Sequence, residues 1–328
     1  MMDLNRFFEP EGWRTDFFTS TSGREIRYGH AVPKGDPKGT VVITTGYADF
    51  MEAYHETINS YLDRGFSVWM MDWAGHGGSE KKTPGSKIKG QMVEDHIEDL
   101  RKFREEVVKP VEGKPVFLST HSMGGQIALH YLNQHPDDFN FAVLATPHVE
   151  TRIKGPARDL LKLVFAAAIT SGLGDATIEN GRRSITENLT AERKYLREEN
   201  PVRMTLHKTF MLLNDKLKAE DPTVGYVESL LISAEKSSQE PFLKSIKTPV
   251  LLGIGTDDDV VDNDAIRRAG KLIPNATVKE IQGGIHALWL DRNHQRADWW
   301  QAIDGFIAAQ LPPQTPKTTI NPPQAKGP

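Results

Sequence analysis

Six short runs constrain what this chain can fold into: GTVVITTG, FSVWMMD, PVFLST, FAVLAT, PVLLGIG and TVKEIQ. They are near-continuous in apolar residues rather than alternating. Strands of that kind are buried on both faces, as in a parallel sheet covered by helices. The intervening segments supply the helices. YHETINSYLDRG and QMVEDHIEDLRKFREEVVK carry apolar residues three and four apart. GQIALHYLNQHP stops at a proline, and ADWWQAIDGFIAAQL closes the periodic part. Strands alternating with helices predict an α/β fold with a doubly wound, mostly parallel sheet. Ahead of it, RTDFFTSTSGREIRYGHAV reads as a hairpin turning near TSGR.

Between FAVLATPH and TPVLLGIG the alternation stops. Residues 149–241 show helical patterns and no convincing strand, and the gap is too long for a loop. The expected organisation is a core in two parts, 1–148 and 242–311, with a helical cap inserted at 149–241. The end, 312–328, is rich in proline and polar residues and is expected to be disordered. A chain of 328 residues with net charge −4 is not a basic nucleic-acid binder. The absence of cysteine excludes disulfides, thiol catalysis and Cys-ligated zinc, and fits a reducing cytoplasm. MMDLNRFFEPEGWRTDFF lacks the pattern of a secretory leader. No run reaches the ~20 apolar residues that a membrane-spanning helix needs.

The chemistry centres on VFLSTHSMGGQIALHY, where a buried strand meets a helix. Thr120, His121, Ser122, Met123 and Gly124 follow the small-x-nucleophile-x-small pattern of a sharp strand-to-helix elbow. Such a turn lifts the Ser122 hydroxyl above the sheet edge and aims the Met123 N–H at a developing oxyanion. The alternative is a helix start with an N-capping serine. A serine nucleophile needs a general base, and the base needs an orienting acid. GGIHALWLD offers His286 as the base, against an ordinary loop histidine. TDDDVVDND offers Asp257, Asp258 and Asp259 for the acid. These aspartates lack the spacing and central glycine of a calcium loop, so no metal is expected. A second oxyanion donor is expected after the first long strand, where Gly46 allows close approach and the Tyr47 N–H is the candidate. DWAGHGGSE matches neither phosphate-binding glycine pattern, so no nucleotide site is expected.

Together, GYADFMEAYHETINSYLDRGFSVWMMDWAGHGGSE, THSMGGQIAL, GTDDDVVDN and GGIHALWLD resemble the α/β-hydrolases of the monoglyceride lipase and lysophospholipase group, some of which are called serine aminopeptidases. The resemblance runs over nearly all of residues 20–310. It implies Ser122 as nucleophile, His286 as base and Asp258 as acid, the last from a G-x-x-D-x-V-V pattern, with Asp259 second. Thr45-Gly46 stands where His-Gly is usual, and Ala74 where Arg is common. ENLTAERKYLREENP and DPTVGYVESLLISA resemble cap segments of bacterial lysophospholipases. The group implies no cofactor and a cap that shapes an acyl pocket. A small ester or lysolipid substrate is then expected, with peripheral membrane contact through the cap left open. LLKLVFAAAIT, MTLHKTFMLL and VGYVESLLI either line that pocket or pack the cap on the core. Lys81, Lys82, Arg182 and Arg183 either meet a phosphate headgroup or are solvated surface charge. A short-chain carboxylesterase, a small-peptide aminopeptidase and a non-catalytic scaffold are the competing readings. Esters are favoured because nothing in the sequence serves an amine leaving group. Serine at 122 argues against the dehalogenases and epoxide hydrolases, which use aspartate there.

Overall fold

The computed structural model describes residues 4–81, 92–179 and 201–311. Its eight strands are β1 (Arg14–Thr19), β2 (Glu25–Ala31), β3 (Gly39–Thr44), β4 (Phe66–Met71), β5 (Val116–His121), β6 (Phe141–Ala145), β7 (Val250–Gly255) and β8 (Ala276–Ile281). They form one sheet in the order β1-β2-β4-β3-β5-β6-β7-β8. The β1–β2 hairpin pairs antiparallel with β4, and every pairing from β4 to β8 is parallel. Every residue of β3, β4, β6 and β7 is buried, as near-continuous apolar strands demand. TVKEIQ is the exception. As β8 it is the sheet's edge, and only Ile281 is fully buried. Its Lys279 and Glu280 suit an edge strand, which has only one neighbour to pack against.

Period-two alternation divides the strand side chains between two cores. One holds Val42, Leu118, Leu144 and Leu252, under α2 (Val93–Lys102), α3 (Met123–Gln134) and α8 (Asn263–Leu272). The other holds Ile43, Met70, Phe117 and Val143, under α1 (His55–Asp63) and α9 (Asn293–Gln310). The sheet is therefore covered on both faces.

Between β6 and β7 lie α4 (Gly155–Thr170), α5 (Pro201–Leu213), α6 (Val224–Ser237) and α7 (Glu240–Ser245). These helices attach to the core very differently. On α6, Gly225, Tyr226, Ser229, Leu231, Ser233, Ala234 and Ser237 are buried, whereas α4 buries no residue. Polar contacts tie α6 down: Ser229 Oγ accepts from the Val93 N–H at 2.9 Å, and the Leu230 carbonyl accepts from Gln126 Nε2 at 2.9 Å. α5 is fixed by charge. Arg203, 4 % exposed, forks onto Glu56, with Nε at 2.5 Å and Nη2 at 2.8 Å from the two carboxylate oxygens. Arg296 stands 3.4 Å from the same carboxylate.

Removing one partner of a buried ion pair leaves a charge without compensation, which typically costs ~3–5 kcal/mol. Because Arg296 remains beside Glu56, Arg203→Met is expected to lower stability by about 3 kcal/mol, the low end of that range. Urea unfolding measures it. An unchanged midpoint would mean that this pair does not hold α5.

Candidate active site

β5 runs into α3 through Ser122, whose φ of 52° and ψ of −115° lie outside the regions serine normally occupies. The sharp turn brings backbones together, and glycine makes room. A Cβ on Gly124 would stand 2.5 Å from the Thr45 carbonyl oxygen, and one on Gly125 would stand 2.6 Å from Pro147 Cβ. On Gly46 it would meet His121 Nδ1 at 2.8 Å. Thr120, where glycine is usual, fits because its Oγ1 lies 3.5 Å from even the hypothetical Cβ of Gly125. The Ser122 carbonyl accepts from the N–H groups of Gly125, Gln126 and His148, which fixes the elbow from both sides.

The two partners arrive from neighbouring strand ends. Asp258 follows β7 and His286 follows β8. His286 Nε2 lies 2.9 Å from Ser122 Oγ, and its Nδ1 lies 2.8 Å from Asp258 Oδ2. The other Asp258 oxygen accepts from the N–H groups of Val260 and Val261 at 2.8 and 3.1 Å. Burial pushes the Asp258 carboxyl up. The charge and hydrogen bond of His286, with those two N–H groups, outweigh burial and hold it below its ordinary value. Of the three adjacent acids, Asp258 is buried, while Asp257 and Asp259 are exposed. The His286 loop is itself tied: its carbonyl accepts from Thr146 Oγ1 at 2.7 Å and faces His121 Nε2 at 3.2 Å. Asp291 Oδ2 accepts the Ile285 N–H at 2.8 Å.

Met123 opens α3, so its N–H belongs to the first turn, which has no intrahelical acceptor. Tyr47 lies three residues past β3, beside Gly46. Thr45, in the place of the usual histidine, gives its carbonyl to Trp73 Nε1 at 2.9 Å. The DWAGHGGSE loop is knotted on Asp72. Its carboxylate accepts from the N–H groups of Met51 and Gly78 and from Arg27, and a Cβ on Gly77 would collide with it at 2.3 Å. Lys81 is half-buried, and its Nζ donates to the carbonyls of Gly77 and Lys216. Lys82, Arg182, Arg183, all of ENLTAERKYLREENP but its final Pro201, and 312–328 lie outside the described residues. Among the described residues, no group of His and acidic side chains is arranged to hold a metal. None of their helices is long and apolar enough to cross a membrane.

The family described as serine aminopeptidase, S33, matches residues 35–293, four-fifths of the chain. The chain belongs to that family, within the α/β-hydrolases. The probable lysophospholipase L2 of Haemophilus influenzae is 22 % identical over 317 residues, 94 % of this chain and 96 % of that one. Human monoglyceride lipase is 30 % identical over 139 residues, 40 % of this chain and 45 % of that one. A carboxyl esterase from Bacillus coagulans superposes with a TM-score of 0.71 at 20 % identity, covering 92 % and 99 % of the two chains. The chain is thus a hydrolase by family, with the α/β-hydrolase fold.

The family's motifs assign no role to several residues at the site. His148, in TPHVE, donates its N–H to Ser122, and its Nδ1 lies 2.7 Å from Gln126 Oε1. Asp49 accepts from Tyr54 Oη at 2.9 Å and faces His207 Nε2 of α5 at 3.2 Å. Tyr226 of α6 reaches Met123 Sδ with its hydroxyl at 2.9 Å. Two of these contacts, Asp49–His207 and Tyr226–Met123, join positions more than 100 residues apart, which no local pattern exposes.

Burial pushes the His121 imidazole down to about 3, with the neighbouring His286 adding to it, and burial takes His76 to about 4. The unfolded chain titrates these groups near 6.5, so below that pH it binds protons the folded chain refuses. Stability is therefore full above ~6.5 and falls as pH drops toward 4, by about 1.4 kcal/mol per unit for each group. Urea midpoints measured from pH 7.5 to 4.5 should decline, and less steeply in His76→Asn. A slope that the substitution leaves unchanged would show that His76 is not the buried neutral group it is taken to be.

Proposed function

We propose that this chain cleaves carboxylic esters by a serine mechanism and acts on lysophospholipid- or monoacylglycerol-like substrates. The observation that carries the reading is the hydrogen-bonded row Ser122–His286–Asp258, with contacts of 2.9 and 2.8 Å. His286 Nε2 takes the Ser122 proton as Oγ attacks the ester carbonyl. Asp258 accepts from Nδ1–H, fixes the tautomer and stabilises the imidazolium. The tetrahedral oxyanion receives the N–H groups of Tyr47 and Met123, donors of a type worth ~10²–10³ in rate each. His286 then gives its proton to the leaving alcohol, and water repeats the sequence on the acyl-enzyme.

The lipid part of the reading draws on the relatives named lysophospholipase L2 and monoglyceride lipase. It also draws on 149–241 as a cap. On α4, Leu160, Leu163 and Val164 form one face at helical spacing and are more than half exposed among the described residues. Such a face suits contact with acyl chains or a lipid surface.

Ser122→Ala should keep the fold by circular dichroism and lose turnover by ~10⁴-fold or more. The assay is a p-nitrophenyl ester series from acetate to palmitate, with lysophosphatidylcholine and monoacylglycerol alongside. Turnover that rises with chain length and extends to the lipids supports the lipid reading. Turnover confined to short chains makes the protein a carboxylesterase. If wild type and Ser122→Ala behave alike on every ester, the serine mechanism is wrong, and peptide substrates come next.

A further inference from the structure

Three residues other than glycine have positive φ among the described residues: Ala48 at 59°, Ser122 at 52° and Thr146 at 42°. The elbow accounts for Ser122. Ala48 directly follows Tyr47, whose N–H the mechanism places at the oxyanion. The left-handed region is costly for alanine and nearly free for glycine. Strain of this sort persists only where surrounding contacts over-determine it.

Those contacts come from the segment between β6 and β7, and they grip both neighbours of Ala48. Tyr47 Oη donates to the Glu220 carbonyl at 3.4 Å, and its ring stacks on Tyr226 of α6 with centroids 6.4 Å apart and planes at 27°. Tyr226 is a fixed platform, 1 % exposed, with its hydroxyl on Met123 Sδ at 2.9 Å and 3.4 Å from His96 Nε2. On the other side, Asp49 Oδ1 faces His207 Nε2 of α5 at 3.2 Å, and the His207 ring lies 4.8 Å from that of Phe50. Two helices thus clasp the loop on either side of its strained residue.

We propose that the cap braces the oxyanion loop, with Tyr226 and His207 as positioning residues that hold Ala48 left-handed and so keep the Tyr47 N–H in place. This rests on the ester-hydrolase reading above and deepens it. The cap then governs transition-state stabilisation as well as access. Loss of a brace should be felt where the oxyanion forms, in kcat, rather than in ground-state binding.

The test measures kcat and KM on p-nitrophenyl butyrate, and inhibition by an alkyl boronic acid whose tetrahedral adduct uses the same donors. Tyr226→Leu and His207→Ala should each lower kcat by about tenfold, a fraction of what losing a whole donor costs. KM should stay within about threefold, and boronate affinity should fall in step with kcat. Tyr226→Phe, which keeps the ring stack, should remain within about threefold of wild type. Adding Ala48→Gly to His207→Ala should recover most of the lost kcat, because glycine adopts the conformation without support. Should Tyr226→Leu fail to fold, the half-buried His207 carries the test. An unchanged kcat in His207→Ala, a loss confined to KM, or a loss that Ala48→Gly does not relieve overturns the brace alone. A wild type with no Ser122-dependent turnover overturns the hydrolase reading and the brace with it.

Discussion

The backbone at Ser122 must turn from strand to helix within one residue, at a φ of 52° that side-chain-bearing residues avoid. Much of the surrounding sequence follows from that requirement. Gly46, Gly124 and Gly125 are where they are because a Cβ at any of them would stand under 3.0 Å from an atom of a neighbouring segment. The other two strained residues, Ala48 and Thr146, follow β3 and β6, the strands on either side of β5. Strain is therefore gathered at the carboxyl ends of three adjacent central strands, where ligands of open α/β sheets bind. The buried strands beneath make this tolerable, because a frame covered on both faces cannot relax toward a gentler turn.

The fold was legible because its signal is redundant. The inner strands of the parallel block repeat the same message of burial, and β8 departs from it as an edge strand without changing the architecture. The elbow was legible because its chemistry is local: Ser122, Met123, Gly124 and Gly125 are contiguous. Which aspartate meets His286 was only half legible. Asp257, Asp258 and Asp259 are equivalent by composition, and what separates them is which side of the turn after β7 faces His286. That direction is set by the two backbone N–H groups of Val260 and Val261 that hold Asp258. The residues around the elbow from the cap, Tyr226 and His207, were illegible for a related reason. An aromatic residue or histidine on an apolar helix face has the same sequence signature whether it packs a core or touches a functional loop.

The sequence predicts a single cap over 149–241, and the described helices of that segment differ in kind. α6 is held by buried small residues and by hydrogen bonds to α2 and α3. α5 hangs on a bidentate ion pair whose worth depends on staying dry. α4 buries no residue at all. Opening free energies are expected to follow the same ranking, since local stability tracks buried apolar contact. A helix that contributes no residue to the core can move at little cost, while the one that touches Met123 cannot.

The histidines show why such burial matters for the chemistry. The ring of His121 lies 4.8 Å from that of His286. The proposed mechanism puts a positive charge on His286 while Ser122 attacks. A second cation at ~5 Å would oppose that by roughly 3 kcal/mol at an effective dielectric of 20, enough to slow proton transfer by more than a hundredfold. Burial, by holding His121 down to about 3, keeps that second cation from forming near neutral pH. His148 is held down to about 4 by burial and then by His286 itself. His286 thus has aspartate for its charged partner and neutral imidazoles around it. The asymmetry comes from position: Asp258 sits where two N–H groups and His286 outweigh its desolvation, whereas Asp49, 3.9 Å from His121 Nδ1, and the His286 carbonyl offset that of a charged His121 only in part. A single low-dielectric floor therefore keeps one group ionised and its neighbours neutral, which is the arrangement a general base needs.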